Sequence, residues 1–390
     1  MSTVYDVFLR NKETGLRTKL IQGIVSLSVI FRFNEPSKWV ITGAGLEECP
    51  VSGSSDIAVF RNNSILFCGY TESVKTKFDV KSQIYDWEIS GKSDLGKISY
   101  RLIYPDSSVA TPNPNQTYSD SGVLSAVMSN LIKKNAAQSS SCNVYRRLPN
   151  LTVPTQTSVG DSVTIEAKLE NVVKYIQDNL KSTDIQIKET WDMETGEWDI
   201  YIGNPQDVSS SVIFSVDNGS IAAWERTVSA PKANHIVVTG CKNESDELMY
   251  VSVYDQDSID KWGRIESTVN RSDIKRNEDT SETWESVAAR LENAAYEELE
   301  KATATFGYKL TVSEMSKKKF PEDYGVGSIV SVRIGNDEFT AKVEEIKITY
   351  AKGVETIVPS VGTMQKGELQ KVFTEIGTLK EQVKVLSMAS

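Results

Sequence analysis

Histidine is the scarcest chemical resource in this chain, with one, His235, in 390 residues. A single imidazole makes a histidine-based triad or a two-histidine metal site hard to build within one chain. It sits in the apolar run Asn234–Gly240, where a core role is the simplest reading. The four cysteines, Cys49, Cys68, Cys142 and Cys241, are far apart and form no CxxC pair. That spacing excludes a zinc knuckle or a disulfide frame and leaves free thiols. No run approaches the roughly 20 apolar residues of a membrane-spanning helix. The first residues, MSTVYDVFLRNKETG, lack a charged-then-apolar leader pattern, so the expectation is a protein folded in a cytoplasm. Clustered positive charge is also missing: net charge is −10, and the one basic cluster, Lys317-Lys318-Lys319, reads as a solvated loop. Sequence-specific nucleic-acid binding, which needs concentrated Lys and Arg, is not expected. GxSxG, HExxH, P-loop and GxGxxG motifs are all absent.

What is present is a folded, β-rich composition, with 39% apolar and 25% charged residues. The densest strand signal runs from Asp323 to Gly362. Ile329–Val332, Phe339–Val343, Ile346–Tyr350 and Glu355–Val358 are short runs separated by turns at Gly335-Asn336-Asp337 and Lys352-Gly353. Residues 1–104 alternate in the same way. Leu27, Val29, Phe31 and Phe33 mark one face, Tyr85, Trp87 and Ile89 another, and together they predict a β-barrel or sandwich.

Residues 105–210 differ. A Pro/Ser/Asn-rich crossing leads to a helix over 121–135, a second helix over about 165–181 and a hairpin around Asp192–Gly196. Trp191 and Trp198 flank that turn as a cross-strand pair. Strands return over 211–258, a long helix spans about 282–303, and another strand covers 306–312. The expectation is a C-terminal β-barrel, 211–363, whose meander pairs mainly with 211–258 and 306–312, beside a separate, similar N-terminal barrel.

The last segment, 364–390, carries Leu369, Val372, Ile376, Leu379, Val383 and Leu386 at alternating spacings of three and four. This is a coiled-coil seam and a candidate oligomer or partner interface; an amphipathic helix lying on its own domain fits the spacing equally.

Catalytic candidates are few. Asp255, Asp257 and Glu266 place oxygen ligands at positions 1, 3 and 12 of an EF-hand-like loop, but position 6 is Asp260 rather than the required glycine. A polar turn is the competing reading. Abundant Asp and Glu leave room for a glycosidase pair, yet no spacing selects one. The residues therefore point to no catalytic residue, no cofactor and no assigned metal site.

Three stretches then suggest a family. FRFNEPSKWVITG (31–43), FRNNSILFCGY (60–70) and WEISGKSDLGKISYRLIYP (87–105) resemble the start of Gp37-like siphophage tail proteins and of the hub modules of tail-associated proteins. Gly91-Lys92-Ser93-Asp94-Leu95 with Arg101 is similar to a Gly–hydroxyl/Lys–Asp–Leu…Arg segment of that group. WGRIESTVNRSDI (262–274), DYGVGSIVSV (323–332) and VEEIKITYAKGVETIVPSVG (343–362) follow in the order these hubs show. The resemblance covers most of residues 1–363. It implies a fold like the T-even baseplate hub and the VgrG base: α+β and β-rich, with two similar β-barrel domains flanking α/β insertions, plus a C-terminal helix. It also implies a homotrimeric virion protein in the tail, assembled in the host cytoplasm. The implied partners are a tail-tube or distal tail protein, the tape-measure protein, and a spike, fibre or receptor-binding protein. Many members of the group carry a lytic domain beyond this point, and this chain is expected to be a short hub without one, hence not an enzyme. The alternative is a tail-associated cell-wall hydrolase or carbohydrate-binding module.

Overall fold

A computed structural model describes residues 4–51, 53–181, 183–276, 282–312, 317–335, 337–361 and 364–365. By internal contacts the chain forms two compact units, Met1–Ala223 with Leu310–Val361, and Trp224–Lys309 with Gly362–Ser390. The protein is α+β and β-rich. Among the described residues its strand pairings close no barrel.

The first unit begins with β1 (Tyr5–Arg10), β2 (Arg17–Leu20), β3 (Ile24–Arg32), β4 (Glu35–Gly45), β5 (Asp56–Arg61), β6 (Ser64–Asp79) and β7 (Ile84–Ser93). They lie in the order β3-β4-β7-β6-β5-β1-β2. The period-two pattern works as expected: Leu27, Val29, Trp39, Ile41, Phe67 and Ile89 are buried. Each such side chain contributes about 1.5–3 kcal/mol by leaving water. Trp39 needs space that only a missing Cβ provides. A Cβ on Gly91 would lie 2.7 Å from the Trp39 ring and 1.9 Å from the Tyr70 carbonyl oxygen.

A short helix, α1 (Leu95–Ile98), leads out of this sheet into the α/β insert. The insert holds β8 (Tyr118–Val123), α2 (Leu124–Asn135), β9 (Leu151–Thr152), β10 (Ser162–Ala167), α3 (Val172–Leu180), β11 (Gln186–Trp191) and β12 (Trp198–Gly203). β8 pairs with β10, and β12 pairs with both β11 and β9. Val127, Leu131, Ile176, Trp198 and Ile200 share its core. Trp191 and Trp198 are direct cross-strand partners, as the hairpin pattern predicts. The second helix starts later than its apolar stripe suggests, because residues 162–167 are a strand. Leu169 takes a positive φ of 59°, and Asn171 caps the helix by accepting from the Lys174 N–H at 2.9 Å. Strand β13 (Ile213–Ser215) follows.

The second unit contains most of β14 (Ile221–Ser229), then β15 (His235–Lys242), β16 (Leu248–Tyr254), α4 (Gln256–Trp262), β17 (Glu266–Asn270), α5 (Trp284–Lys301) and the start of β18 (Thr305–Val312). β15 is central, antiparallel to β16 and parallel to β17. α5 covers one face of this sheet through Val287, Leu291, Ala295 and Leu299, which pack on Ile236, Val238 and Val253. Thr283 caps α5 by accepting from the Ser286 N–H. The opposite face stays open, with Leu248, Tyr250 and Tyr254 exposed.

The chain returns to the first unit with β19 (Ile329–Ile334), β20 (Asp337–Ala351) and β21 (Val354–Val361). β13 pairs with β19, so 211–258 does supply one strand to the meander. Among the described residues, 235–254 pair among themselves and with β17. The long partner is β3: Glu345 to Ala351 lie antiparallel to Arg32 to Ser26. The meander's partners therefore include the N-terminal block, which strand pattern alone assigns to a separate domain. Period-two alternation fixes which faces are buried, and it leaves the choice of neighbouring strand to non-local packing. Side chains reinforce the junction. Arg61 clamps Glu355 with both Nε and Nη2, at 2.8 and 2.7 Å, while Tyr5 donates to the same carboxylate.

Candidate functional site

The segment that carries the family resemblance sits where β7 ends. Asp94 is fully buried and accepts hydrogen bonds from three elements. Arg10 on β1 reaches both its oxygens, at 2.9 and 2.6 Å. Lys97, one turn along α1, lies at 2.9 Å, and the Trp191 indole N–H donates at 3.1 Å from the end of β11. Asp56 on β5 takes the Lys97 ammonium at 2.6 Å and lies 3.9 Å from Arg10. Two carboxylates thus face two cations, of which Lys97 is the most exposed, its side chain at 21%. Burial alone would raise the Asp94 carboxyl, but the Arg10 and Lys97 charges prevail and hold it below its usual range.

Glu189, two residues before Trp191, has the opposite state. Burial, helped by the Asp94 charge, pushes it up to about 8, against hydrogen bonds from Ser93 and from the Leu95 N–H at 2.7 Å. At neutral pH Glu189 holds a proton while Asp94 does not. It lines a cavity of about 240 Å³ with Phe31, Trp191, Phe320 and Tyr324. A raised carboxyl in a cavity suits a general acid, but acid–base work on a glycoside needs a second available carboxylate. Its neighbour Asp94 is committed to Arg10 and Lys97.

The rest of the motif is equally structural. The Ser93 hydroxyl accepts from the Ser37 N–H at 3.0 Å. Arg101 donates to the Arg146 carbonyl at 2.8 Å, and Arg146 stacks 3.5 Å over the Tyr104 ring. The Gly91–Leu95 segment with Arg101 therefore ties the first sheet to the insert. Beside it lies an open cleft of about 540 Å³ whose lining includes Arg10, Asp56, Thr71, Lys97 and Tyr100.

A second constellation lies on the open sheet face of the other unit. His235 Nε2 is 2.8 Å from the Ser252 hydroxyl, and Nδ1 is 3.7 Å from Glu266 Oε1. The order Ser–His–Glu is that of a hydrolytic triad. Three features argue against that chemistry. The 3.7 Å separation is too long for a hydrogen bond to orient the ring, and Nδ1 has no hydrogen-bond partner. Arg264, which can only donate, lies 3.0 Å from Nε2, so the lone pair a nucleophilic serine needs is already shared. The face is also flat and open: Tyr250 is 70% and Tyr254 58% exposed. Ser252 and Arg264 carry no signal in the sequence, whereas His235 stands out because it is the one histidine.

The calcium candidates are placed in the same unit. Asp255 caps α4 by accepting from the Ser258 N–H at 3.0 Å, and Asp257 stands in the helix's first turn. Glu266 pairs with Arg264 at 2.7 Å. The stretch read as a possible loop is thus a short capped helix. Among the described residues no group of three or more His, Cys, Asp or Glu side chains is placed to hold a metal ion. All four cysteines are free thiols. The seam residues Leu369, Val372, Ile376, Leu379, Val383 and Leu386 lie outside the described residues.

The buried tie is centred on Asp94 and Lys97, in the 87–105 stretch that carries part of the resemblance to tail proteins. The family model for the siphovirus ReqiPepy6 Gp37-like protein matches residues 6–363. The chain belongs to this Gp37-like siphovirus family. No curated protein matches it in sequence. Its fold is similar to that of the 43 kDa tail protein of prophage MuSo2 from Shewanella oneidensis, at 12% identity and a TM-score of 0.59. That match covers 92% of this chain and 98% of the other. A tail protein from Neisseria meningitidis MC58 is similar at 11% identity and a TM-score of 0.54, with 93% and 97% covered. A chain of the Francisella PdpA–VgrG complex matches at 10% identity and a TM-score of 0.51, over 92% of this Gp37-like chain and 57% of that one. At these identities the likeness is one of fold.

Proposed function

We propose that this Gp37-like protein is a structural component of a phage tail or tail-like particle, and specifically its hub. The observation that supports it most is the family match over residues 6–363, joined to the likeness of fold to a phage tail protein along nearly the full length of both chains. In this reading three chains form a ring that joins the tail tube to the tip, spike or receptor-binding assembly. Each chain contributes two related β-rich domains, 1–104 and 211–363, around the 105–210 insert. The partners are a tail-tube or distal tail protein, the tape-measure protein and a spike, fibre or receptor-binding protein. The role is architectural: burial of complementary surfaces closes the ring, and no covalent step is required. Residues 364–390 supply a further contact through the Leu369–Leu386 seam.

Light scattering on the purified full chain, alone and co-expressed with the tail proteins of its own gene cluster, tests this. The expected result is a trimer or a trimer-containing complex. A chain that stays monomeric at high concentration and joins none of those proteins overturns the hub reading. In the same assay Ile376→Asp with Leu379→Asp weakens self-association or attachment of the tip protein; normal assembly removes the seam from the interface.

A further inference from the structure

We propose that the cleft beside α1 binds a neutral saccharide unit, a property the hub reading neither requires nor supplies. At about 540 Å³ the cleft is within the size range of small-ligand sites. Its floor comes from β1, β5 and β6, and one wall from the α1 segment. Its rim includes Gly15 and Gly196, two turns so close that a Cβ on Gly15 would stand 1.9 Å from the Gly196 carbonyl oxygen.

Two lining side chains have unmet hydrogen-bonding capacity. Arg10 is 7% and Thr71 2% exposed, and neither the Arg10 Nε nor the Thr71 hydroxyl has a partner. Native proteins rarely leave such atoms unpaired, and each one left so is destabilising. The Thr71 backbone is fixed by its N–H bond to the Ser55 carbonyl at 2.8 Å. Its hydroxyl can therefore meet an incoming group through one staggered side-chain rotation without moving the strand.

Charge selects the ligand class. Arg10 and Lys97 are matched by Asp94 and Asp56, and Glu72 by Lys92 at 2.8 Å, which leaves the exposed Lys12 at the edge as the one lining charge outside these pairs. Such a lining presents fixed donors and acceptors with little net field, which suits hydroxyl groups better than phosphate. Tyr100 supplies the apolar surface. Its ring is 59% exposed and meets Tyr70 edge-on at 5.9 Å. Its hydroxyl is held by the Tyr70 hydroxyl and Glu72, both at 3.0 Å. A pyranose can lay its C–H face on this ring while its hydroxyls reach the paired charges.

Calorimetry on the full chain tests the proposal with an N-acetylglucosamine trimer, a glucose trimer and, as the charged control, a galacturonic acid trimer. At least one neutral trimer binds with a Kd of about 1 mM or tighter, and the acidic trimer binds at least about fivefold more weakly. Tyr100→Ala weakens the neutral trimer about tenfold, and Thr71→Val about fivefold. Thr71→Val also raises the melting temperature of the free protein, because it removes an unpaired hydroxyl. Tyr100→Phe keeps the ring and retains most of the affinity. No heat from either neutral trimer at about 10 mM, preference for the acidic trimer, or unchanged binding in Tyr100→Ala overturns the proposal.

Discussion

Two parts of this molecule assemble acids, bases and polar side chains, and they do so in opposite surroundings. Around Asp94, three charged groups and an indole N–H come from β1, β5, α1 and β11, and Asp94 itself has no exposed surface. Around His235, the hydroxyl, ring and carboxylate lie on adjacent strands of a sheet open on that face, with the guanidinium on the link just before β17 and the Arg264 and Glu266 side chains 55% and 62% exposed. The first set looks unremarkable as residue types and carries the structure. The second resembles a hydrolytic triad and has neither the separation nor the enclosure for that chemistry. Solvent access decides the difference: sealed charges must be paired, whereas exposed ones interact weakly and can be exchanged.

The comparison is broken most directly at its centre. Asp94→Ala leaves Arg10 and Lys97 buried beside each other with one remaining carboxylate. It should cost about 3–5 kcal/mol, read as a shift of the urea midpoint. A loss below about 1 kcal/mol would place Asp94 with the exposed pairs.

Glu189 gives the next largest effect, and its sign is specific. Its folded-state value, pushed up to about 8, exceeds the ordinary 4.5, so the folded chain binds the extra proton between those two pH values. The stability contributed by this group therefore falls as pH rises from about 4.5 to 8. Glu189→Gln, which keeps the shape without the titration, should flatten that part of the curve. Asp94 acts in the reverse direction: its depressed carboxyl contributes stability that disappears as pH falls below the ordinary carboxylate range. Urea titrations of both proteins at several pH values separate the two; an unchanged slope in Glu189→Gln would assign the acid–base behaviour elsewhere. A smaller change, Trp191→Phe, removes one N–H donor to a charged acceptor and should cost about 1.5–3 kcal/mol while leaving the slope with pH in place.

The order of these effects explains what a reader of the sequence can and cannot see. Local pattern located α2 and α5, the Trp191–Trp198 hairpin and the alternation of the first sheet, because each depends on neighbours a few residues apart. The start of α3 was displaced by a cap at Asn171, since an apolar stripe does not mark where a helix begins. The β20–β3 pairing had no local trace: the two strands are separated by most of the chain, and each is compatible with several neighbours. The candidate site behaves likewise. Asp94 was visible within the Gly91–Leu95 resemblance, but Arg10 and Trp191, which define its surroundings, are 84 and 97 residues away. Nothing in the sequence around Glu189 indicates its raised carboxyl, which arises from burial and from the charge of Asp94.

The smallest expected effect tests the other side of the comparison. Glu266 is 62% exposed, and its partner Arg264 is also largely in solvent. Screening and side-chain entropy leave such a pair worth at most about 1 kcal/mol. Ser252→Ala removes a hydroxyl from an exposed strand position and should change stability by less than about 0.5 kcal/mol. Combined, Ser252→Ala and Glu266→Gln should leave the protein folded, with a urea midpoint close to the parent's and the same behaviour on a cell-wall zymogram. Clearing by the parent that the double variant loses would make the His235 constellation catalytic after all, and exposure would then be a poor guide to which of the two sets does chemistry.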